Sequence, residues 1–434
     1  MGKKSITVIG LGFVGLPLSL SFALKGHKVI GLDVNEGLVK DLNQGRTSCL
    51  EQYQGRPAQD ILCTALEDGV FKATTSYKEA AEESDAYIIT VGIPVQDQTP
   101  SFDFLNSAIT DLGRVLKPGD LVLIRSTVVP GTTEEKIIPL LEKESGLTAG
   151  TDFLVGYASE RIAEGKAFDE FENMPTVVGG INKESAEKSA ALLRLISRAE
   201  IYIASDIKVV ETAKVFENVS RDVNIALANQ FAQFCQSLGI DTLETFQIAN
   251  THKRVNLLMP GPGVGGYCLP NAYYYLRPKH VEMGIEMPLL STARKINDEV
   301  PPRIVGKVAE MLSQQGKSIK GSVVAVLGLA MKDYSNDDRI SPAHSVCQGL
   351  VEEGAEVRAY DPVVDTSAGY AVETLRDAVT GADALVVLAK QRVFEDVDLG
   401  AVKGAMGENP VLVDAKHLFS REEAEGLGFK VFTI

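Results

Sequence analysis

The chain is poor in the residues that would make it a disulfide scaffold, a metal protein or a nucleic-acid-coating protein. It has five cysteines in 434 residues: Cys49, Cys63, Cys235, Cys268 and Cys347. The number is odd, they are scattered, and none belongs to a CxxC pair, so they offer neither a disulfide framework nor a zinc site. Positive charge is also short. The 43 Lys and Arg stand against 58 Asp and Glu, a net charge of −15, which argues against a nucleic-acid or anionic-membrane partner. No apolar run exceeds strand length, so no membrane span is expected. No signal-peptide pattern precedes the strand-like ITVIG, and MGKKSI lacks the Ser or Thr at position six of a myristoylation signal. Five scattered cysteines and no leader give the expectation of a cytoplasmic protein. An anionic ligand would need a locally basic pocket, so the basic residues near any site carry information.

What is present is ordinary for a globular protein, with 45% hydrophobic and 23% charged residues. The length exceeds one domain. Residues 5–33 read as a βαβ unit: an apolar strand, a glycine turn, an apolar helix stopped near Gly26, and a second strand ending in Asp33. Further strands follow at helix-separated spacing, among them DAYIITVGIP, GDLVLIRST, TDFLVGYAS and PTVVGG. Most are continuous apolar runs, as in a parallel sheet covered on both faces. The stretch from about Ser205 to Gly239 has no proline and no interior glycine. It predicts one helix of roughly 33 residues, about 50 Å long. Past Pro301-Pro302 the pattern restarts with GSVVAVLGLAMK, a helix and AEVRAYDP, a weak repeat of residues 5–33. The fold class expected is α/β, two doubly wound Rossmann-like domains joined by a long central helix. The expected divisions are 1–203, 204–302 and 303–434.

Gly10-Leu-Gly12-Phe13-Val14-Gly15 follows a strand, opens a helix, and is followed by Asp33 at the end of the next strand. Those are the conditions that a GxGxxG dinucleotide fingerprint requires. Gly10 permits the tight turn, Gly12 lets a pyrophosphate approach the backbone, and Gly15 lets helix and strand pack closely. Asp33 suits ribose hydroxyls and repels a 2′-phosphate, so the cofactor expected is NAD. The bland alternative is a glycine turn that binds nothing. The second copy, Gly328-Leu-Ala330-Met-Lys332, keeps one glycine and should not hold a dinucleotide in the usual way.

Five segments together resemble the nucleotide-sugar 6-dehydrogenase family, which oxidises UDP-glucose, UDP-N-acetylhexosamines or GDP-mannose to uronic acids. They are the fingerprint, YASERI, the long helix, GPGVGGYC and MKDYSNDDRISPA. RDVNIALAN and NTHKRVN look most like the N-acetylhexosamine branch. The resemblance implies a UDP-sugar substrate, two NAD⁺ per turnover and Cys268 as nucleophile. A thiol can trap the C6 aldehyde as a thiohemiacetal, whose oxidation leaves a thioester for water to hydrolyse. It implies that Glu160 assists that water, that Arg161 and Thr127 line the site, and that Gly263 and Gly265 approach the sugar diphosphate. It further implies that Lys332 contacts substrate, that Arg339 reaches towards the cofactor, and that Arg254 reaches a neighbouring subunit's substrate. Lys214, Asn218 and Arg221, at i, i+4 and i+7, fall within about 60° on the long helix. There Lys214 can donate to an alkoxide and Asn218 can hold a water or the substrate. Their alternative reading is a solvated polar face, and a Glu160–Arg161 surface ion pair is open as well. The long helix makes a homodimer the default.

The sequence departs from the family where its cysteine loop carries an aspartate, which is Ala272 here, and where an Asn-Glu pair becomes Asn229-Gln230. Either water held by Lys214, Asn218 and Thr127 serves proton transfer, or one half-reaction is impaired. The extreme of the second case is a binding protein without turnover. UDP-glucose and GDP-mannose remain alternative substrates. A 3-hydroxyacid dehydrogenase is a further alternative, but it needs neither the cysteine loop nor a second α/β domain.

Overall fold

The computed structural model describes residues 5–434. Residues 1–4, on which the myristoylation reading partly falls, lie outside them. The chain divides into two compact units. One holds the residues up to Glu217 together with Tyr274–Ile285; the other holds Asn218–Tyr273 and Glu286–Ile434.

The first unit is built on eight strands: β1 (Ser5–Ile9), β2 (Val29–Leu32), β3 (Phe71–Thr74), β4 (Ser84–Ile89), β5 (Leu121–Ile124), β6 (Leu154–Ala158), β7 (Thr176–Gly180) and β8 (Ile201–Ile203). Their order is β8-β7-β6-β5-β4-β1-β2-β3. All pairs are parallel except β6–β7, which is antiparallel. Strands β1, β2 and β5 are buried at every residue, which is why they read as unbroken apolar runs. Helix α1 (Gly15–Leu24) is apolar on nearly all sides because it is sunk in the core, with Leu18, Leu20 and Phe22 fully buried. Burial of each such side chain contributes about 1.5–3 kcal/mol.

The second unit carries β9 (Val323–Leu327), β10 (Glu356–Tyr360), β11 (Ala384–Val387), β12 (Val411–Asp414) and β13 (Lys430–Thr433), in the order β10-β9-β11-β12-β13 and all parallel. The two-residue period of a strand shows in its two cores. Val324 and Val326 belong to one, with Val346 and Leu350; Ala325 and Leu327 belong to the other, with Phe394 and Phe429.

The long helix α2 runs Ile207–Leu238, 32 residues, two residues short of the expected start and one of the expected end. The unit division falls inside it. Helices α3 (Thr242–Asn250), α4 (Cys268–Glu282), α5 (Pro288–Asp298), α6 (Val300–Gln314) and α7 (Pro342–Glu352) follow. Pro301 and Pro302 do not precede α6 but occupy its first turn, where proline's missing N–H has no intrahelical partner to lose. The fold class is the one the sequence predicts.

Candidate active site

In the first unit the candidate residues gather beyond the carboxyl ends of the parallel strands. The order β3-β2-β1-β4-β5-β6 reverses direction between β1 and β4, the place where such sheets bind ligands. Gly10 lies at the end of β1 with φ +93°, a conformation that side-chain-bearing residues avoid. Its amide donates to Leu32 O (2.8 Å), and the Thr90 hydroxyl donates to the carbonyls of Ile9 (2.9 Å) and Gly10 (2.7 Å). A Cβ at Gly15 would lie 1.8 Å from Gly10 O, whereas one at Gly12 would meet nothing within 4 Å. Gly15 is therefore a packing glycine, and Gly12 faces open space. Helix α1 has no side-chain cap and no carboxylate in its first turn, so its amide end suits an anion. Asp33 accepts the Leu11 amide on Oδ2 (2.8 Å) and the Asn35 amide on Oδ1 (3.0 Å). It thereby ties the glycine turn to the end of β2. Phe13 is exposed and Val14 half-buried. Turn, open backbone and acidic strand end together fit a dinucleotide.

Thr127, half-buried, follows β5, and Glu160, buried, follows β6. Glu160 is not paired with Arg161. Arg125 holds its Oε2 through Nε (2.9 Å) and Nη2, and Oε1 accepts the amides of Arg161 (2.7 Å) and Ile162 (3.0 Å). Arg125 is itself buried, and its guanidinium lies 5.7 Å from the Phe171 ring centroid. The carboxylate is thus fixed in one orientation by a partner the sequence did not single out. Arg161 instead pairs with Glu217 and donates to Pro175 O (3.2 Å).

Along α2, Glu211, Lys214, Asn218, Asp222 and Asn229 are all buried. The spacing of Lys214, Asn218 and Asp222 keeps them on one face, so Lys214 and Asn218 lie on a buried polar stripe and not a solvated surface. Arg221 is exposed. Glu211 accepts the amides of Gly131 (2.5 Å) and Thr133 (2.9 Å), and burial raises its carboxyl pKa above the usual range. These buried partners were invisible in the sequence because the residues they meet lie some 80 positions away.

In the second unit Cys268 is exposed and begins α4. The preceding loop is tied down twice: the Gly261 amide donates to Asn229 Oδ1 (3.0 Å), and the Gly266 amide donates to Arg339 O (3.1 Å). Asn229 is braced by Asn297 (3.3 Å), which donates to Asp222 (2.9 Å), which pairs with buried Arg294 (2.6 Å). A Cβ at Gly265 would lie 2.7 Å from Pro342 Cδ and 2.9 Å from Ile340 O. The bare backbone at Gly265 therefore serves close packing of this chain on itself. Gly263 has φ +128°, also a glycine conformation. Ala272 is buried, and Asn271 beside it donates to Tyr267 O (2.8 Å). Neither supplies a proton acceptor of the aspartate kind.

Of the remaining predicted residues, Lys332 is half-buried just past β9, and Arg339 donates to both carboxylate oxygens of Asp337 (2.8 and 3.0 Å). Arg254 is exposed in the loop after α3. The weak repeat is real in geometry. Gly328 (φ +87°) copies Gly10, and Asp361 accepts the amides of Leu329 (2.8 Å) and Ala330 (3.3 Å) as Asp33 accepts that of Leu11. Among the described residues, no cluster of His, Cys, Asp and Glu is arranged to hold a metal, and no helix is long and apolar enough to cross a membrane.

This fold and fingerprint define an NAD-binding oxidoreductase of two α/β domains. Residues 4–197, 208–299 and 325–421 match the NAD binding, central and UDP binding domains of the UDP-glucose/GDP-mannose dehydrogenase family. The chain belongs to that family and is an NAD-dependent nucleotide-sugar dehydrogenase. It is 33% identical over 438 residues to the UDP-N-acetyl-D-mannosamine dehydrogenase of Methanocaldococcus jannaschii, covering 99% of this chain and 96% of that one. It is 32% identical over 430 residues to the UDP-N-acetyl-D-glucosamine 6-dehydrogenase of Pseudomonas aeruginosa, covering 98% and 99%. The structure of UDP-D-ManNAc dehydrogenase from Pyrococcus horikoshii superposes with a TM-score of 0.92 at 33% identity, over 99% of both chains.

Proposed function

We propose that this enzyme oxidises C6 of a UDP-N-acetylhexosamine to the uronate, with Cys268 as covalent nucleophile. The observation that carries the reading is an exposed thiol at the head of α4, behind a glycine loop pinned at both Gly261 and Gly266. The full-length likeness to mannosamine and glucosamine dehydrogenases supports the sugar class. Bound NAD⁺ supplies the hydride acceptor for each of two oxidations. Cys268 as thiolate adds to the C6 aldehyde, and Lys214 stabilises the oxygen that gains charge. Oxidation of the resulting thiohemiacetal gives a Cys268 thioester. Water, held by Asn218 and Thr127 and oriented by Glu160, cleaves the C–S bond and releases carboxylate and thiol. Gly10, Gly12, Phe13, Val14, Gly15, Asp33 and Arg339 form the cofactor side. Arg161, Arg221, Arg254, Gly263 and Lys332 form the substrate side. The three parts 1–203, 204–302 and 303–434 then bind NAD, carry the long helix and cysteine loop, and bind the UDP group.

Buried Ala272 favours a second reading, in which thioester hydrolysis is impaired because position 272 carries no carboxylate. Incubation with NAD⁺ and a panel of UDP- and GDP-sugars separates the two. Catalytic release of uronate with two NADH per sugar supports the full oxidation. A single burst of two NADH per active site, with the thioester retained on Cys268 and no uronate released, supports the second reading, and no NADH with any sugar refutes both.

The partner assignment rests on α2. Val209, Phe216, Leu227, Phe231, Phe234 and Leu238 are all exposed, and they fall within about 60° of one another on the helical wheel. Such a stripe suits a second copy of the chain. The expectation is a homodimer by light scattering, converted towards monomer by Phe234→Glu. Five free cysteines suit the cytoplasm.

A further inference from the structure

Asp338, His344 and Tyr370 form a hydrogen-bonded chain that the mechanism above does not use. His344 is the third residue of α7 (Pro342–Glu352). Its Nδ1 lies 2.6 Å from the Tyr370 hydroxyl and its Nε2 lies 2.8 Å from Asp338 Oδ2. All three are half-buried. Tyr370 anchors one end: its carbonyl accepts the Ala359 amide (2.8 Å), and its ring packs on the core of the second sheet. Burial pushes its phenol up to about 12, so it keeps its proton at neutral pH and remains a partner for the imidazole.

Asp338 forms the other end and starts a tight turn, its carbonyl accepting the Ser341 amide (3.1 Å). Inside that turn Ile340 has φ +51°, a region in which a β-branched residue is an outlier. Such strain persists only where the surroundings over-determine the backbone. The Asp338–His344 bond bridges Ile340 from both sides. On this turn the Arg339 carbonyl receives the Gly266 amide, and Ile340 O and Pro342 meet Gly265. Gly266 stands two residues before Cys268.

We propose that His344 is a positioning residue. Anchored by Tyr370, it holds Asp338 and with it the strained turn against the glycine loop, and so fixes where the Cys268 sulfur stands. The inference rests on the reading of Cys268 as the reacting thiol. A leucine at 344 fills similar space but holds neither partner, whereas a glutamine offers an amide nitrogen near Nε2 and keeps the bond to Asp338.

The test compares full-length wild type, His344→Leu, His344→Gln and Tyr370→Phe. Two readouts are taken: NADH formation, and the rate at which iodoacetamide alkylates Cys268, followed by peptide mass mapping. For His344→Leu the expected result is a kcat lowered about tenfold or more with KM for NAD⁺ within about twofold, and a Cys268 alkylation rate changed at least about threefold. His344→Gln should recover most of both, and Tyr370→Phe should show the leucine effect in weaker form. Unchanged alkylation and kcat in both His344→Leu and Tyr370→Phe would overturn the proposal. So would losses that track melting temperature and are not rescued by glutamine. If the wild type makes no NADH with any sugar, the functional reading fails, while the alkylation rates still decide the clamp.

Discussion

Gly12 and Gly15 lie three residues apart in one turn, yet alanine at each should fail in a different way. At Gly15 the added methyl would stand 1.8 Å from Gly10 O and 2.6 Å from Thr90 Oγ1, about 1.6 Å inside ordinary contact. Gly10 has little room to retreat, because its amide is bonded to Leu32 and its carbonyl to Thr90. Helix α1 must move instead, and it carries Leu16, Leu18, Leu20 and Phe22, all within 3% of full burial. Overpacking of this kind costs typically about 1–3 kcal/mol, occasionally more. In a unit of this size that corresponds to a loss of roughly 2–4 °C in Tm per kcal/mol. At Gly12 a methyl meets nothing within 4 Å, and its φ is not positive, so the fold should be untouched. The methyl instead occupies the approach of the pyrophosphate. Thermal melts and NAD⁺ titration calorimetry on both variants separate the effects. Gly15→Ala should melt several degrees low, whereas Gly12→Ala should melt as wild type but bind NAD⁺ at least about tenfold more weakly. A Gly15→Ala protein of wild-type Tm would show that Gly15 is not needed for packing, and a Gly12→Ala protein of wild-type affinity would show that the pyrophosphate does not approach Gly12.

Two further predictions concern the buried stripe on α2. Glu211→Gln turns an amide donor onto the amide of Gly131 or Thr133, with an expected cost of about 1–3 kcal/mol by chemical denaturation. Because burial raises the Glu211 pKa in the folded state, its contribution is fully present below the unfolded pKa and is lost as pH rises through the folded one. Wild type should therefore lose more stability than Glu211→Gln between acid and neutral pH. Arg294→Met leaves Asp222 buried without its cation, at a cost of about 3–5 kcal/mol, and Asp222→Asn in the same protein should restore part of it. If the double variant is no more stable than Arg294→Met alone, the pair is not coupled.

The glycine turn was legible because its requirements are local: positive φ at Gly10, contact at Gly15 and an acid at the next strand end. The long helix was legible because no residue from Ile207 to Leu238 interrupts it. The likeness to N-acetylhexosamine dehydrogenases was also readable, from RDVNIALAN and NTHKRVN. What the sequence hid was partnership between distant segments. Glu160 was read as a possible partner of Arg161, its neighbour, yet Arg125 holds it across adjacent strands. The antiparallel strand β7 is an apolar run like its parallel neighbours, and nothing in TVVGG marks its direction. The glycines at 263 and 265 were read as room for a ligand; at Gly265 the neighbours are Met331, Ile340 and Pro342. The repeat already marked Asp361 as the counterpart of Asp33, whereas Asn229 was read only as half of an altered pair, and its use as a backbone acceptor appears only when the glycine loop closes on it.

A covalent role for Cys268 can be read from a trapped intermediate. Wild-type enzyme turning over a UDP-N-acetylhexosamine with NAD⁺ is quenched in acid, digested and mapped by mass, beside Cys268→Ser. The wild-type Cys268 peptide is expected to carry a sugar-acyl adduct. The serine variant is expected to show no adduct and no uronate, with NAD⁺ affinity intact. Uronate formed by Cys268→Ser at the wild-type rate, with no adduct on the wild-type peptide, would rule out covalent catalysis by Cys268.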